Sequence, residues 1–311
     1  MRLLVPQVLA SGLVDRYDLW VNTAVPADLA FLEGLARLDP RVRLVPHPEG
    51  APASVEAIGG YSRLAMDADT VYVRLDDDVV WLEPGFFETL LAFRFAHPEY
   101  FLVMPLVVNN ALGSYLLQTF GKLAVSRPFT TTCLCKVGWR DPDVAFQLHR
   151  LFLDLARRGE TNRLHCGPVE IALNRFSINC IVWFGRDMAL AGGVRGTDEE
   201  EELSSSMAVR LGRRNCFQTD AVAAHFAFYS QREELDRAGI LEEYETLLRA
   251  RPELAGDLAR VTAVHDEAQA LDDGRTWGWP PQPVKAWFHV RRWFPRRRHR
   301  SGVTLTAGAR L

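Results

Sequence analysis

The chain has 311 residues, of which 48% are hydrophobic and 24% are charged. This is the balance of a globular protein with enough apolar residues to bury a large core. A formal net charge of −3 excludes an overall polyelectrolyte character. The length accommodates one large α/β domain with additions or two smaller domains.

The charge is unevenly distributed along the chain. From Gly274 onward there are nine Lys or Arg and no Asp or Glu, so this segment carries +9 and the preceding residues carry −12. An acidic body with a basic end predicts a C-terminus that binds to a charged surface.

Cysteine usage and hydropathy indicate a reducing, cytoplasmic setting. The five cysteines are odd in number and scattered, which is typical of reduced thiols rather than of a disulfide framework. Cys133 and Cys135 have no second close pair, so a zinc site is not expected. No apolar run reaches the ~20 residues that a membrane span needs. The short apolar start is interrupted by Pro6, which favours a helix of the fold over a signal peptide.

Helices and strands alternate along the first two thirds of the chain. The patterns predict helices over 3–13, 27–38, 55–66, 83–97 and 141–159, and strands over 17–22, 42–45, 70–75, 101–108 and 177–184. This alternation predicts an α/β fold with a mainly parallel sheet and helices on both faces. The predicted organisation is a sheet domain over 1–235, C-terminal helices over 236–273 and a basic, aromatic tail over 274–311.

Three consecutive aspartates follow the clearest buried strand. Asp76, Asp77 and Asp78 come directly after a β-branched and aromatic run, and open α/β sheets bind ligands at the carboxyl ends of their strands. Adjacent carboxylates repel one another unless a cation compensates, and Mg²⁺ or Mn²⁺ shares oxygen ligands with phosphates. The motif therefore predicts a site for a divalent metal and a diphosphate. The alternative is a solvated acidic turn.

The sequence resembles the GT-A glycosyltransferases, the nucleotide-diphospho-sugar transferase superfamily, over about residues 15–235. The resemblance is carried by four segments: 17–23, 74–78, 192–200 and 224–226. It is similar to the bacterial cell-surface polysaccharide type. The family normally opens with a strand whose following loop holds the nucleobase, whereas Met1 is expected to lie in the helix after that strand.

The resemblance implies roles for the acidic motif. Asp78 is expected to be the metal ligand, with Asp76 assisting it near the ribose or a metal-bound water. Asp76 and Asp77 are expected to contact the donor. Arg63, in the helix before the motif strand, is a candidate diphosphate contact, although the pattern favours an ordinary surface arginine. Cys135 with Lys136 is a further candidate contact.

Two later segments supply further candidates. In such transferases a downstream carboxylate takes the proton of the acceptor hydroxyl, which points to Asp198, Glu199 and Glu200, with Glu199 preferred. His225 lies in an apolar, strand-like run, and a late histidine often joins the metal site in this family; an imidazole ligand favours Mn²⁺. The alternatives are a helix-capping charge run and a buried histidine bonded to main chain. Trp183 is expected in the core or at the acceptor site.

The tail contains Trp287, Phe288, Trp293 and Phe294 among seven Lys or Arg between residues 285 and 300. Aromatics beside cations predict docking on an anionic membrane surface. Nucleic-acid binding is not expected, because the body is acidic and no nucleic-acid motif is present.

The expected activity is a metal-dependent transfer of a sugar from a nucleotide-diphospho-sugar to a glycan or lipid-linked acceptor, with Mn²⁺ or Mg²⁺. The alternatives are a non-catalytic binder of glycans or nucleotides, and a metal-dependent phosphohydrolase.

Overall fold

The computed structural model describes residues 1–54, 57–125, 127–271 and the main chain of 285–290. Its strands are β1 Arg16–Trp20, β2 Val42–Val45, β3 Val71–Asp76, β4 Val79–Leu82, β5 Val103–Val108, β6 Pro168–Ile171, β7 Cys180–Phe184, β8 Asn215–His225 and β9 Lys285–Val290.

The described helices are α1 Leu4–Leu9, α2 Pro26–Leu38, α3 Phe86–Ala96, α4 Ala111–Thr119, α5 Lys136–Arg140, α6 Pro142–Arg157, α7 Gly185–Ala191, α8 Glu199–Glu201, α9 Met207–Leu211, α10 Arg232–Arg237, α11 Ile240–Arg249 and α12 Ala255–Gln269. A π-helical turn, Glu202–Ser206, joins α8 to α9. Short 3₁₀ helices cover Ile58–Leu64, Thr161–Leu164 and Pro252–Leu254.

The fold is α/β with one mixed sheet in the order β2-β1-β9-β3-β7-β5-β8-β4, and β6 pairs with β8. The prediction of a mainly parallel sheet was wrong. Among the described strands only β1–β2 and β5–β8 are parallel, and the other pairings are antiparallel. Local periodicity determines which face a side chain occupies, but it carries no information on strand direction.

Alternate side chains of the central strands enter cores on opposite faces of the sheet. Val71 and Val73 of β3 join a cluster that includes residues of α1, α2, α3 and α12, whereas Tyr72 joins a cluster that includes α4, α7 and α9. Helices therefore cover both faces, as expected for a sheet buried on both sides.

Helix α1 is shorter than the predicted helix 3–13, and all six of its residues are buried. Its one polar side chain, Gln7, donates to the carbonyl of Val80 at 3.1 Å and accepts from the amide of Leu82 at 2.7 Å. The side chain thus satisfies main-chain groups of β4, which explains a buried glutamine in an apolar helix.

The C-terminal helices pack on the sheet domain. Tyr244 and Leu248 of α11 and Leu258 of α12 join the core that lies under α6. His149 of α6 donates through Nε2 to the carbonyl of Phe226 at 2.7 Å and accepts at Nδ1 from the hydroxyl of Tyr244 at 2.9 Å. Burial lowers the pKa of His149 to about 4, so this link between elements contains a neutral imidazole.

Part of the basic tail belongs to the sheet. Strand β9 lies between β1 and β3 and is antiparallel to both, with Lys285 opposite Asp76 in the register. The sequence analysis assigned 285–290 to a separate tail, whereas these residues, which include two aromatic residues and a valine, form a strand. Docking of the tail on a membrane stays a prediction. Residues 291–300, with Trp293 and Phe294, lie outside the described residues.

The cysteines carry no disulfide, in agreement with the sequence. Within the described part of the chain, no helix is both long and apolar enough to cross a membrane.

Candidate active site

The aspartate triplet forms the tight connection between β3 and β4. Asp76 is the last residue of β3, and Asp77 and Asp78 make the turn before Val79. The amide of Asp76 donates to the carbonyl of Asn179 at 2.8 Å, and the carbonyl of Asp78 accepts from the amide of Phe226 at 2.8 Å. Neighbouring strands on both sides therefore fix the main chain of the motif.

His225 reaches the motif through strand pairing. Residue Val79 pairs with His225, the last residue of β8, and this register places the imidazole beside Asp78. The His225 Nε2 atom lies 3.3 Å from Asp78 Oδ2, while Nδ1 donates to the carbonyl of Asn109 at 3.4 Å. Asn109 has a positive φ of 60°, a conformation that is uncommon outside glycine and often marks a functional site.

The charges of Asp78 and His225 stabilise each other. Burial alone would raise the pKa of Asp78, but His225 and the Arg232 guanidinium, 3.4 Å away, hold that pKa below its usual value. Burial alone would lower the pKa of His225, but the carboxylate of Asp78 outweighs this effect, and the pKa of His225 lies above its usual value. The pair therefore favours an ionised aspartate beside a basic imidazole.

Asp77 differs from its neighbours. Burial, reinforced by the charge of Asp78, raises the pKa of Asp77 to about 7. Its Oδ1 atom is buried without a hydrogen-bond partner among the described residues. The amino group of Met1 donates to the carbonyl of Asp77 and lies close to the triplet. A carboxylate in this position requires a cation or a proton.

The acidic run at 198–202 reaches the triplet through one arginine. Arg74 of β3 has a side chain with 0% exposure, and its guanidinium lies 3.4 Å from Asp76 and 2.9 Å from Glu199. Glu199 is itself only 8% exposed. The sequence did not indicate this bridge, although a buried arginine two residues before an aspartate faces the same way along a strand.

The other carboxylates of the run have separate contacts. Asp198 accepts from the amide of Glu201 at 3.0 Å, which caps α8, and it also pairs with Arg175. Glu200 pairs with Arg175 and accepts from the thiol of Cys133 at 2.9 Å. The contacts of Asp198 and Glu200 agree with the alternative interpretation, a charge run that caps a helix. Glu199 differs from them because it is buried against the motif strand.

A cavity of about 1040 Å³ unites these groups. Its lining includes seven carboxylates, three arginines and two histidines: Asp28, Asp76, Asp77, Asp78, Asp198, Glu199, Glu200, Arg2, Arg175, Arg232, His225 and His265. The excess of carboxylates favours binding of a cation, and the arginines can contact an anion that accompanies it.

Several sequence candidates lie elsewhere. Arg63 does not line this cavity and pairs with Glu49 at the surface. Neither Cys135 nor Lys136 lines it. Trp183 is fully buried, donates to the carbonyl of Ala65 at 3.1 Å and is a core residue. Sequence position alone does not show which side of a helix or strand faces a cavity.

Sequence reasoning missed four polar residues that shape the site: Arg74, Asn109, Asn179 and Arg232. Asn179 donates through Nδ2 to Asp76 Oδ2 at 3.2 Å. Its place beside Asp76 depends on the antiparallel pairing of β3 with β7, in which Leu75 lies opposite Cys180. That pairing was not foreseen, so no local signal identified Asn179.

Asp78 and His225 are spaced as two ligands of a divalent cation would be, but they do not form a complete ligand set. Two ligand atoms bound to one ion at about 2.1 Å lie about 3–3.5 Å apart, and the 3.3 Å between Asp78 and His225 matches this separation. The Nδ1 bond to a carbonyl is the usual outer support of a metal-binding histidine. Among the described residues, no three His, Cys, Asp or Glu side chains converge as a complete ligand set. Further ligands would come from a diphosphate.

Comparison with protein-family models, with curated proteins and with solved structures gave no match. Function therefore has to follow from the geometry and chemistry of the cavity.

Proposed function

We propose that the protein is a metal-dependent glycosyltransferase of GT-A type, which transfers a sugar from a nucleotide-diphospho-sugar to a hydroxyl acceptor. One observation carries the proposal. The aspartate triplet, His225 and Glu199 come from three distant parts of the sequence and line a single cavity. A mixed α/β fold with the acidic motif at a strand end is compatible with this class.

The donor would bind at the triplet. Asp78 and His225 would hold Mn²⁺ or Mg²⁺, with Asp76 close by, and the bound cation would neutralise charge on the departing diphosphate. Arg232 lies 3.4 Å from Asp78 and is 43% exposed along its side chain, so it can turn toward a phosphate oxygen.

Glu199 is the proposed base that receives the proton of the acceptor hydroxyl. The acceptor oxygen forms a bond to the anomeric carbon while the bond from that carbon to the diphosphate oxygen breaks. Glu199 takes the acceptor proton as general base. Arg74 fixes the orientation of this carboxylate, because its guanidinium is itself held in the core.

Nucleotide binding with and without metal tests the donor side. Isothermal titration calorimetry with UDP, GDP, CDP and ADP should detect binding of at least one nucleotide only when Mn²⁺ or Mg²⁺ is present. Asp78→Asn should weaken that binding at least tenfold. Asp154→Asn, an exposed aspartate on α6, is the matched control and should leave it unchanged. Equal affinity in both variants would contradict the metal role.

Turnover tests the role of Glu199. Glu199→Gln should lose at least a hundredfold in kcat while retaining donor affinity, the pattern of a group that acts only in the transition state. Glu201→Gln is a control within the same acidic run, since Glu201 accepts hydrogen bonds from Ser205 and Ser206 instead. Similar turnover in wild type and Glu199→Gln would remove Glu199 from the mechanism.

A second candidate function is a non-catalytic nucleotide or glycan receptor. The observation that favours it is the pairing of Asp78 with His225 and Arg232, since the chain itself supplies cations to the triplet. Binding of a nucleotide or saccharide that is unaffected by EDTA, without turnover of any sugar nucleotide, would favour the receptor over the transferase.

A further inference from the structure

An exposed tyrosine stands at the rim of the cavity, and a half-buried tryptophan outside the cavity lining lies beside it. Tyr229 lines the cavity and is nevertheless 72% exposed. The ring of Trp139 lies 6.1 Å from it, centroid to centroid, at 40° between the planes. The Arg140 guanidinium lies 4.4 Å from the centre of the Trp139 ring. We call Tyr229 and Trp139 the rim platform.

The loop that carries Tyr229 is bonded to helix α5, which carries Trp139. The Ser230 hydroxyl donates to the carbonyl of Trp139, and Gln231 donates through Nε2 to the carbonyl of Gly138 at 3.1 Å. Gln231 is fully buried and accepts from Asn109 Nδ2 at 3.0 Å. Tyr229 is thus a large ring presented to water from a fixed main chain. Tyrosine and tryptophan are enriched at recognition interfaces, because each combines a large apolar ring with a polar group.

The same loop is joined to the catalytic candidates. The Phe226 amide donates to the carbonyl of Asp78, and Arg232, at the other end of the loop, pairs with the Asp78 side chain. Between them, the Phe228 ring lies 4.7 Å from the imidazole of His225. The rim platform therefore has a fixed position relative to the triplet, as an acceptor subsite requires.

We propose that Tyr229 and Trp139 stack against a pyranose ring of a glycan acceptor, which makes a carbohydrate rather than a lipid chain the acceptor that this site recognises. The proposal rests on the proposed transferase function. The negative face of an aromatic ring attracts the weakly positive C–H groups on the apolar face of a sugar. The lining of the same cavity includes Arg175, Asp198 and Arg232, which can bond to sugar hydroxyl groups and would find no polar partner in an acyl chain.

Saturation-transfer NMR on the full chain tests the subsite without metal or nucleotide. The probes are cellobiose, maltose, lactose and chitobiose at millimolar concentration. Ring protons of at least one saccharide should receive saturation, and Tyr229→Ala and Trp139→Ala should each reduce that signal about fivefold, a typical value of one aromatic contact. Tyr229→Phe should retain it. Phe120→Ala, which removes another exposed aromatic side chain, is the matched control.

The outcomes separate this subsite from the proposed function. Absence of contact from all four saccharides, or an equal signal in wild type and Tyr229→Ala, would overturn the subsite. Loss of sedimentation with phosphatidylglycerol vesicles in Tyr229→Ala, without any saccharide signal, would also overturn it in favour of lipid. Saccharide contact that depends on Tyr229, in a chain that binds no nucleotide, would retain the subsite and reject the transferase.

Discussion

Replacement of Arg74 by Met gives a direct test of the bridge between the motif strand and the acidic run. Arg74 has no exposed side-chain surface and lies between Asp76 and Glu199, each 8% exposed. Removal of one member of a buried ion pair costs about 3–5 kcal/mol, because the remaining charge stays buried without its partner. Two carboxylates lose this cation at once, so we expect about 4–5 kcal/mol of lost stability.

The assay is guanidinium unfolding, followed by circular dichroism, of four chains: wild type, Arg74→Met, Glu199→Leu and the double variant. Removal of the Glu199 charge should cost less in the Arg74→Met background than in wild type, by about 1–3 kcal/mol of coupling. Arg74→Lys retains the charge and should remain folded if Arg74→Met does not. A loss below 1 kcal/mol in Arg74→Met, or strictly additive single variants, would refute the bridge.

Three further predictions concern stability, each measured by denaturant titration. His149 is neutral in the folded chain down to about pH 4 but protonates near 6.5 when unfolded, so stability should fall by up to about 1.4 kcal/mol per pH unit from 6.5 toward 4. His149→Gln should lose this slope. Gly185→Ala places a Cβ 2.0 Å from the Asp67 carbonyl oxygen and should cost at least about 2 kcal/mol, whereas Gly256→Ala, in open space within α12, should stabilise by about 0.5–1 kcal/mol. Truncation after Asp273 removes β9 from between β1 and β3 and should lower stability markedly.

Each of these three stability predictions can be contradicted by one result. A stability profile of His149→Gln that parallels wild type between pH 4 and 6.5 would show that the imidazole does not control the slope. Equal effects of the two alanine substitutions would show that the close approach at Gly185 relaxes freely. Unchanged stability after truncation would show that the sheet does not depend on β9, and would return the tail to the role of a dispensable surface segment.

The sequence by itself determined several of the local elements, although the predicted helix 55–66 is a 3₁₀ helix over Ile58–Leu64 and strands β4 and β6 were not predicted. Strand β2 covers the predicted residues 42–45, and helix α2 begins one residue earlier than predicted and ends at the same residue. Asp141, the first residue of the predicted helix 141–159, caps α6 and accepts from the amide of Val144 at 3.2 Å. These features depend on side chains within a few positions of one another, so the chain near each residue contains the information.

The aspartate motif depends both on the local sequence and on the tertiary structure. Its place at the end of a buried strand followed from the apolar run before Asp76, and the structure confirms that position. What surrounds it did not follow from any local pattern. Asn179 and His225 reach the motif only because β7 and β8 pair with β3 and β4.

Tertiary structure alone decided strand direction, the burial of α1, the insertion of β9 into the sheet and the pairing of Arg74 with Glu199. These features join segments that are far apart in sequence. In the pairing of β3 with β9, Asp76 and Lys285 are 209 positions apart and Val71 and Val290 are 219 positions apart. The physical reason is that hydrophobic patterning fixes which face of an element is buried, whereas the choice of partner is made by closure of the whole core.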